Sequence, residues 1–486
     1  MKMPTDASHQ NEEQKKEYDM QCFQNNLKKH TASLSSAAQA TAQIILFILA
    51  QITIVEKYYT VTFVIYACYL FLAWSRPHIS IVVGINATLW NNFLIALVIS
   101  VLSATSNKIN FAVPTAMLMA PPFFLLIRSR NWKTDKYFAI GIAILLAMGV
   151  YGYFSHGLAA LQEIRDPILL ILLLWSGTKI KNKFIIKSLW FSALIFAVCN
   201  LIYFSVEIAL RADLWGLLSY SNILTTKGLG LDVFLSRFSG IGLYMRNGGL
   251  MLEPVNISLF FSFLFSSALV ILRSKNLRLL MIFLSIVDTI ISGGKGGILI
   301  IPISLLLLAV LNIKLIYENF FLLITAFIFI FSLSINHLLG VAGEIAPTAL
   351  PHFLAISTIP DIIFSKYSIL GHGFGSAGAF HSINHDVTNM STAALRGTES
   401  GISSLLFQGG LFFFITIYVM TNKAIFNLSK NILANTKKEQ HNALYLIALP
   451  ALASFWQENA LSPQAAALIF YFAGSVISNM QHRTYA

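Results

Sequence analysis

Charge is what this sequence has least of. Aspartate, glutamate, lysine and arginine together make up 11% of its 486 residues, whereas a soluble globular protein carries about a quarter. Hydrophobic residues make up 56%, and the mean hydropathy is +0.70. This composition excludes an ordinary soluble protein and predicts an all-α polytopic membrane protein.

Cysteine is nearly absent as well. Cys22, Cys68 and Cys199 lie in a polar tail and in two separate apolar runs, so no pair is placed for a disulfide or a metal site. A leading apolar segment is also missing, because residues 1–33 are polar and of mixed charge. We therefore expect a cytosolic tail over 1–33 and a single transmembrane domain over 34–480.

Long apolar runs predict about fourteen membrane spans, which places both termini on one side of the bilayer. Several runs are shorter than the ~20 residues that a straight span needs, so one of them could be re-entrant. The apolar residues 79–85 are assigned to no span. The predicted spans lie near residues 36–55, 58–75, 86–104, 111–127, 137–154, 164–178, 188–206, 255–272, 279–292, 297–313, 319–335, 400–420, 441–456 and 463–479.

Lysine and arginine set the predicted orientation. With the N-terminus inside, the inner segments hold 23 of the 33 lysines and arginines. Topology thereby accounts for the net charge of +12, and we expect no nucleic-acid partner. The two long loops, 207–254 and 336–399, fall on the outer side. Lysine and arginine are usually concentrated on the inner side, so the cations of these outer loops are candidates for function.

The first outer loop ends in Ser236–Pro254, a glycine-rich stretch with two arginines and one carboxylate. Arg237 and Arg246 suit phosphate oxygens, because a guanidinium donates two parallel hydrogen bonds. Pro254 favours the first turn of a helix, so Glu253 would lie at the positive end of the helix dipole. The stretch predicts a flexible cationic loop that binds an anionic ligand near the bilayer surface. The alternative is a solvated loop, or an ion pair with Glu253.

A further cation lies in Gly293–Gly297, where two glycines flank Lys295 on each side. No serine or threonine follows the lysine, so the stretch is not a Walker loop. It joins two predicted spans on the same outer side as Arg246, and its glycines would let a phosphate approach the backbone. The alternative is a tight turn whose lysine extends to water.

The second outer loop contains a glycine-rich run over 371–378 and ends at Glu399. No βαβ unit surrounds the run, which excludes a dinucleotide fingerprint. Glu399 fits either of two roles, a first-turn acid that favours a helix N-terminus or a general base. His381 and His385 would share one face of a helix, but glycines nearby disfavour that helix, and we expect no metal.

Four more polar residues of the outer segments are candidates for the site. Any loop histidine alone is more often a hydrogen-bonded loop residue than a catalyst. A carboxylate on the last outer turn either hydrogen-bonds a sugar or faces water. These candidates are His372, His385, Arg396 and Glu458.

Together these motifs resemble the Wzy-type polymerases of bacterial O-antigen and exopolysaccharide. The similarity covers about residues 230–479, whereas the first part of the chain matches in hydropathy alone. Lys295 takes the place of an arginine that the family usually has in this turn. The matching residues are Arg237, Gly240, Arg246–Gly249, Glu253-Pro254, Ser292–Gly297, 371–376, Glu399-Ser400 and Gln408–Gly410.

The resemblance implies a glycosyltransferase bundle of the GT-C type in the bacterial inner membrane, with both termini cytoplasmic and both long loops periplasmic. Its substrate would be an oligosaccharide repeat unit on undecaprenyl diphosphate, and a separate protein would regulate chain length. Arg237, Arg246 and Lys295 would stabilise the diphosphate leaving group. Glu399 would be the general base, with His385 as the other candidate. Neither a cofactor nor a metal is implied.

Two other functions remain open. Related O-antigen ligases, which transfer glycan to lipid A-core, carry a histidine–asparagine pair near the end of the same loop. Here Glu399-Ser400 stands at that place, which favours the polymerase. A lipid-linked oligosaccharide flippase would also suit fourteen predicted spans. Transporters, however, tend to have paired repeats and polar sites at mid-membrane, and Asp288 is the chief mid-span charge here.

Overall fold

Helices are the regular secondary structure of the described part of the chain, and no strand occurs in it. The computed structural model describes residues 35–102, 108–129, 132–180, 182–210, 214–215, 217–218, 246–311, 326, 330–334, 350–377, 400–426 and 436–483.

We number the helices in chain order. They are α1 (Ser35–Val55), α2 (Tyr59–Ser75), α3 (Pro77–Leu102), α4 (Lys108–Arg128), α5 (Trp132–His156), α6 (Leu158–Gly177), α7 (Lys183–Ala209), α8 (Pro254–Ile271), α9 (Lys275–Ser292), α10 (Lys295–Val310), α11 (Leu350–Ser357), α12 (Ile359–Ile363), α13 (Gly401–Phe426), α14 (Thr436–Ala453) and α15 (Pro463–Arg483). Two 3₁₀ helices, Gly249–Met251 and Glu458–Leu461, precede α8 and α15.

Six of these helices, α1, α3, α5, α7, α8 and α13, are long and apolar enough to cross a membrane. Shorter apolar helices, among them α2 and α10, accompany them. Length and composition therefore indicate a membrane protein. One detail of the predicted spans is wrong: residues 79–85 belong to α3, which begins at Pro77 because proline is accepted in a first helical turn. The predicted span near 319–335 lies mostly outside the described residues.

The bundle has a fully packed centre and an apolar periphery. Nearly all of α8 is buried, as is α6 from Pro167 to Gly177. The peripheral helices instead leave large apolar side chains exposed, as lipid-facing helices do. Examples are Phe63 and Phe71 of α2, Phe154 of α5, Phe191 of α7 and Phe283 of α9.

Close packing at the centre depends on small residues where α6 crosses α15. A Cβ atom on Gly177 would lie 2.4 Å from the carbonyl oxygen of Tyr471 and 2.8 Å from the Cα of Gly474. Only glycine lets two backbones come this close, which is the packing mode that membrane helices favour. This crossing holds α6 and α15 together as one central pair.

We expect Gly177→Val to destabilise the bundle by about 1–3 kcal/mol, because the added side chain forces the two backbones apart. The measurement is the thermal unfolding midpoint of the purified protein in detergent. Ala147→Val is the matched control, since Ala147 is exposed on α5. Equal midpoints for the two variants would contradict the close crossing.

Candidate functional site

A short segment that is not α-helical is buried inside the bundle just before α8. Residues 247–252 are all buried, and the 3₁₀ helix Gly249–Met251 contacts α3, α7 and α8. Such a segment leaves backbone N–H groups without helical partners, and each of them needs another acceptor. We call the end of the bundle that carries residues 246–253 the site end.

Glu207 supplies the first of these acceptors. Its side chain is fully buried near the end of α7. One carboxylate oxygen accepts a hydrogen bond from the N–H of Gly248 at 3.2 Å, and the other accepts from the N–H of Gly249 at 3.1 Å. The indole N–H of Trp215 also donates to it, at 3.4 Å. A carboxylate satisfied in this way holds both backbone groups in place.

Two buried asparagines complete the support. The side-chain oxygen of Asn200 accepts from the N–H of Leu250 at 2.9 Å, while its amide N–H donates to Asp288 Oδ1 at 2.9 Å. Asn92 of α3 donates to the carbonyl oxygen of Met251. Helices α3 and α7 therefore hold the segment directly, and α9 holds Asn200 in place through Asp288.

The start of the segment is attached to the end of α9. The backbone N–H of Asn247 donates to the carbonyl oxygen of Ser292 at 3.2 Å, and its side-chain amide donates to that of Ile291 at 2.9 Å. Gly293 follows with a φ of 67°, a left-handed conformation that ends α9 and lets α10 begin at Lys295. Arg246 is thereby placed next to the turn that carries Lys295.

Among the residues that the structure describes, no carboxylate forms an ion pair with Arg246. Its Nε atom is buried and has no hydrogen-bond partner. Burial lowers the pKa of Arg246 from its ordinary value. The group nevertheless stays protonated at neutral pH, because arginine is effectively always charged. A half-buried cation with unused donors can bind an anionic ligand.

The glycines around Lys295 have a packing role. A Cβ atom on Gly294 would lie 2.4 Å from Cβ of Ser258, and one on Gly297 would lie 1.9 Å from its Oγ. Gly296 faces the side chain of Gln457 in the same way. These glycines let α10 approach α8, so their open sides are filled by protein rather than left for a phosphate. Lys295 itself is half-buried at the first turn of α10.

Two further carboxylates of this end, Glu253 and Glu458, lie at helix starts. Glu253 occupies the N-cap position of α8, but its side chain makes no capping hydrogen bond. Instead it accepts from the side-chain amide of Asn256 at 2.6 Å, and this amide also donates to Gln464 of α15 at 2.8 Å. Glu458 opens the 3₁₀ helix Glu458–Leu461, which contacts α6, α8 and α13. Both residues therefore share the site end with Arg246 and Lys295.

A second buried non-helical segment, residues 371–377, is inserted into α13. Gly410 adopts a φ of 62° and a ψ of −169°, which interrupts that helix. In an intact helix the N–H groups of residues 411 and 412 would bond the carbonyls of 407 and 408. Here these two helical hydrogen bonds are absent, and all four groups bond residues of the chain before and within the inserted loop instead. The four bonds run from His372 N–H to Phe407 O (2.9 Å), Gly373 N–H to Gln408 O (2.9 Å), Leu411 N–H to Ser368 O (2.8 Å) and Phe412 N–H to Ile369 O (2.9 Å).

His372 is held within this insertion. Its ring stacks on Phe407 with centroids 4.0 Å apart and an angle of 9° between the planes. Its Nδ1 lies 3.3 Å from the carbonyl oxygen of Phe407, and its own carbonyl oxygen lies 3.2 Å from His156 Nε2. The pKa of His372 is lowered chiefly by burial; the hydrogen bond with the Phe407 carbonyl opposes this shift, and the charges of His156 and Lys366 add to it. These contacts give His372 a positioning role for the loop.

The structure thus brings five of the predicted site residues to the bundle and leaves the other four unplaced. Arg246, Glu253, Lys295 and Glu458 lie at the site end, and His372 lies in the inserted loop. The remaining four fall outside the described residues, and these are Arg237, His385, Arg396 and Glu399. No group of three or more metal-ligating side chains occurs in the described parts of the chain.

Sequence reasoning missed Glu207 and Gln408. Glu207 stood at the edge of the first predicted outer loop, whereas α7 extends through it to Ala209. A carboxylate next to an apolar run was the available signal, since such a group needs a buried partner. Gln408 accepts from the N–H of Gly375 at 2.7 Å. It lay inside a matching motif, but nothing in the motif indicates an inserted loop.

Comparison of the chain with known proteins gave no match, whether with family models, with curated proteins or with solved structures.

We expect Glu207→Gln to loosen the buried segment, because the new amide N–H would face a backbone N–H and leave one donor unsatisfied. Such a loss costs about 1–3 kcal/mol. Faster hydrogen exchange in a peptide that covers residues 247–252 would report the change. The matched control is Glu56→Gln, which removes an exposed carboxylate at the end of α1. Unchanged protection in Glu207→Gln would show that the carboxylate does not hold the segment.

The lowered pKa of His372 predicts an acid-sensitive loop. Folding disfavours the protonated ring, so the unfolded chain binds the proton more tightly. Stability is therefore fully present above the ordinary pKa of 6.5 and falls as the pH drops below it. We expect His372→Gln to flatten this part of the profile of unfolding midpoint against pH. His352→Gln, in the neighbouring α11, is the control; a wild-type slope in His372→Gln would contradict the assignment.

Proposed function

We propose that the protein polymerises lipid-linked oligosaccharide repeat units at the periplasmic face of the bacterial inner membrane. The proposal joins the resemblance to Wzy-type polymerases with the arrangement of the site end. In it the chain is a metal-independent glycosyltransferase whose bundle is of the GT-C type. Its substrate is undecaprenyl-diphosphate-linked oligosaccharide. A chain-length regulator would be its protein partner.

The observation that supports this proposal best is the fixed position of Arg246. Glu207 and Asn200 hold the backbone that follows it, and α9 holds Asn247 beside it. Arg246 Nε is buried without a partner. A cation that is fixed before the reaction stabilises charge in the transition state without having to reorganise. Negative charge that builds up on a leaving diphosphate is the kind that such a cation would stabilise.

In the proposed reaction the growing chain is the donor. A hydroxyl oxygen of the new lipid-linked unit attacks the anomeric carbon, and the bond from that carbon to the diphosphate oxygen breaks. Undecaprenyl diphosphate leaves with the electron pair. Glu399 takes the proton of the attacking hydroxyl as general base. Arg246, Lys295 and Arg237 bind the diphosphate, while Glu253 and Glu458 bind sugar hydroxyls or position the cations.

The test uses purified protein in liposomes with one lipid-linked repeat unit, and it looks for a ladder of longer products. We expect Arg246→Lys to reduce the ladder about 10- to 100-fold, because lysine keeps the charge but loses the paired hydrogen bonds. Glu399→Gln should abolish the ladder. Lys57→Asn is the control, since it removes an exposed cation from the turn after α1.

Four outcomes would count against the proposal. A normal ladder from Arg246→Lys would make the arginine a surface charge. A normal ladder from Glu399→Gln would move the base to His385. Transfer to lipid A-core without a ladder would identify a ligase, and movement of intact units across the liposome membrane without new bonds would identify a flippase.

A further inference from the structure

A groove opens at the end of the bundle opposite the site end. It consists of two adjoining cavities of about 310 and 340 Å³. The cavities share His78, Asn182 and Ile185 as lining residues. Their other walls come from the ends of α4 and α6 and from the junction of α2 with α3. The groove is therefore formed where several helices end at one level.

Two arginines on this groove carry charge that no carboxylate of the described residues balances. Arg76 lines one cavity and donates to the hydroxyl groups of Ser35 and Ser36, both at 2.7 Å. Arg128 lines the other, and its guanidinium lies 4.2 Å from the ring centroid of Trp74. These partners are neutral, and neither arginine forms an ion pair in the described part of the chain.

Asp135, a carboxylate beside the groove, already has partners for its charge. Asp135 binds Lys179 at 2.7 Å, and it also accepts from the indole N–H of Trp175 at 3.1 Å and from Ser129. Lys179 lines the groove, and its positive charge is balanced by the negative charge of Asp135. The net charge of the described lining is therefore positive, and Arg76 and Arg128 supply it. The groove is suited to an anion.

The walls between these cations are apolar. Pro77, Ile79 and Phe184 line one cavity, and Leu125 and Trp175 line the other. A small hydrated anion would make no favourable contact with these apolar walls. An amphipathic anion can contact both the arginines and the apolar walls. Phe184 is 54% exposed and Trp74 is 41% exposed, which leaves an apolar path from the groove to the outside of the bundle. An acyl chain can follow that path.

We propose that this groove binds an anionic glycerophospholipid, with its phosphate on Arg76 and Arg128 and its acyl chains along the apolar wall. The groove lies at the right depth for a headgroup, since α3 and α7, two of the apolar helices long enough to span a membrane, both begin beside it. Basic pockets between membrane helices are known sites for such headgroups. This site is separate from the one proposed for the diphosphate, because α7 runs from Asn182 at the groove to Glu207 at the site end.

The experiment measures lipid retention by the full-length protein. The purified protein is stripped of lipid in detergent and titrated with phosphatidylglycerol or phosphatidylcholine, and native mass spectrometry counts the bound molecules. We expect tight binding of phosphatidylglycerol and about 10-fold or more weaker binding of phosphatidylcholine. Arg76→Gln with Arg128→Gln should weaken phosphatidylglycerol binding about 10- to 30-fold.

The matched control is Arg273→Gln with Lys275→Gln. It removes the same charge from the exposed turn between α8 and α9, which lies at the same end of the bundle. Arg128→Gln alone provides a second test if the double variant fails to fold, because Arg128 is exposed and its removal leaves Arg76 with its serine partners. That single variant should weaken binding about 3-fold or more.

Four results would overturn the proposal. They are equal loss in the control, full binding in Arg128→Gln, equal affinity for both lipids, and displacement of phosphatidylglycerol by millimolar inorganic phosphate. The last would assign the groove to a free anion. The outcome does not depend on any glycosyl transfer, so it is distinct from the test of the proposed function.

Discussion

The fold depends on one constraint: backbone that is buried in an apolar bundle and is not helical must find hydrogen-bond partners inside the protein. Water is excluded there, and each unpaired group costs several kcal/mol in a purely apolar medium. Residues 247–252 meet this constraint through polar side chains of α3 and α7 and through a backbone carbonyl at the end of α9. The loop 371–377 meets it partly through the backbone of α13. Two helical bonds are lost there, and four bonds replace them, two to His372 and Gly373 and two to Ser368 and Ile369 just before the loop.

The same constraint explains why the segments are suitable for a site. A loop on the surface gains mobility from solvent, whereas a loop whose N–H groups all have fixed acceptors is as rigid as the helices around it. Arg246 leads directly into such a segment, and the turn before Lys295 is joined to it through Ser292. The sequence suggests flexibility here because of its glycines. The structure shows that glycine allows close approach instead: a side chain on Gly249 would lie 2.4 Å from Asn200 Oδ1.

Hydropathy and proline predicted much of the helical pattern, since those signals are local. The helices begin and end close to the predicted limits wherever the apolar run is uninterrupted, as in α8, which begins at Pro254 as expected. Residues 79–85 were missed because the break at Arg76-Pro77 is short and leaves hardly any polar residues between two helices. Long-range contacts could not be predicted. Neither the pairing of Glu207 with Gly248 nor the insertion of residues 371–377 into α13 has a signature within one stretch of sequence, because each joins segments about 40 residues apart.

Because charged residues are scarce in this chain, it matters which groups hydrogen-bond the carboxylate of Glu207. In an apolar surrounding a carboxylate and a guanidinium attract each other strongly, and a free carboxylate near Arg246 would neutralise it. Glu207 instead receives its hydrogen bonds from backbone N–H groups and an indole, while Asp288 receives one from Asn200. Both carboxylates are thus stabilised by neutral donors rather than by this arginine. The buried acids that hold the loop therefore do not pair with Arg246, and its positive charge remains available to a ligand.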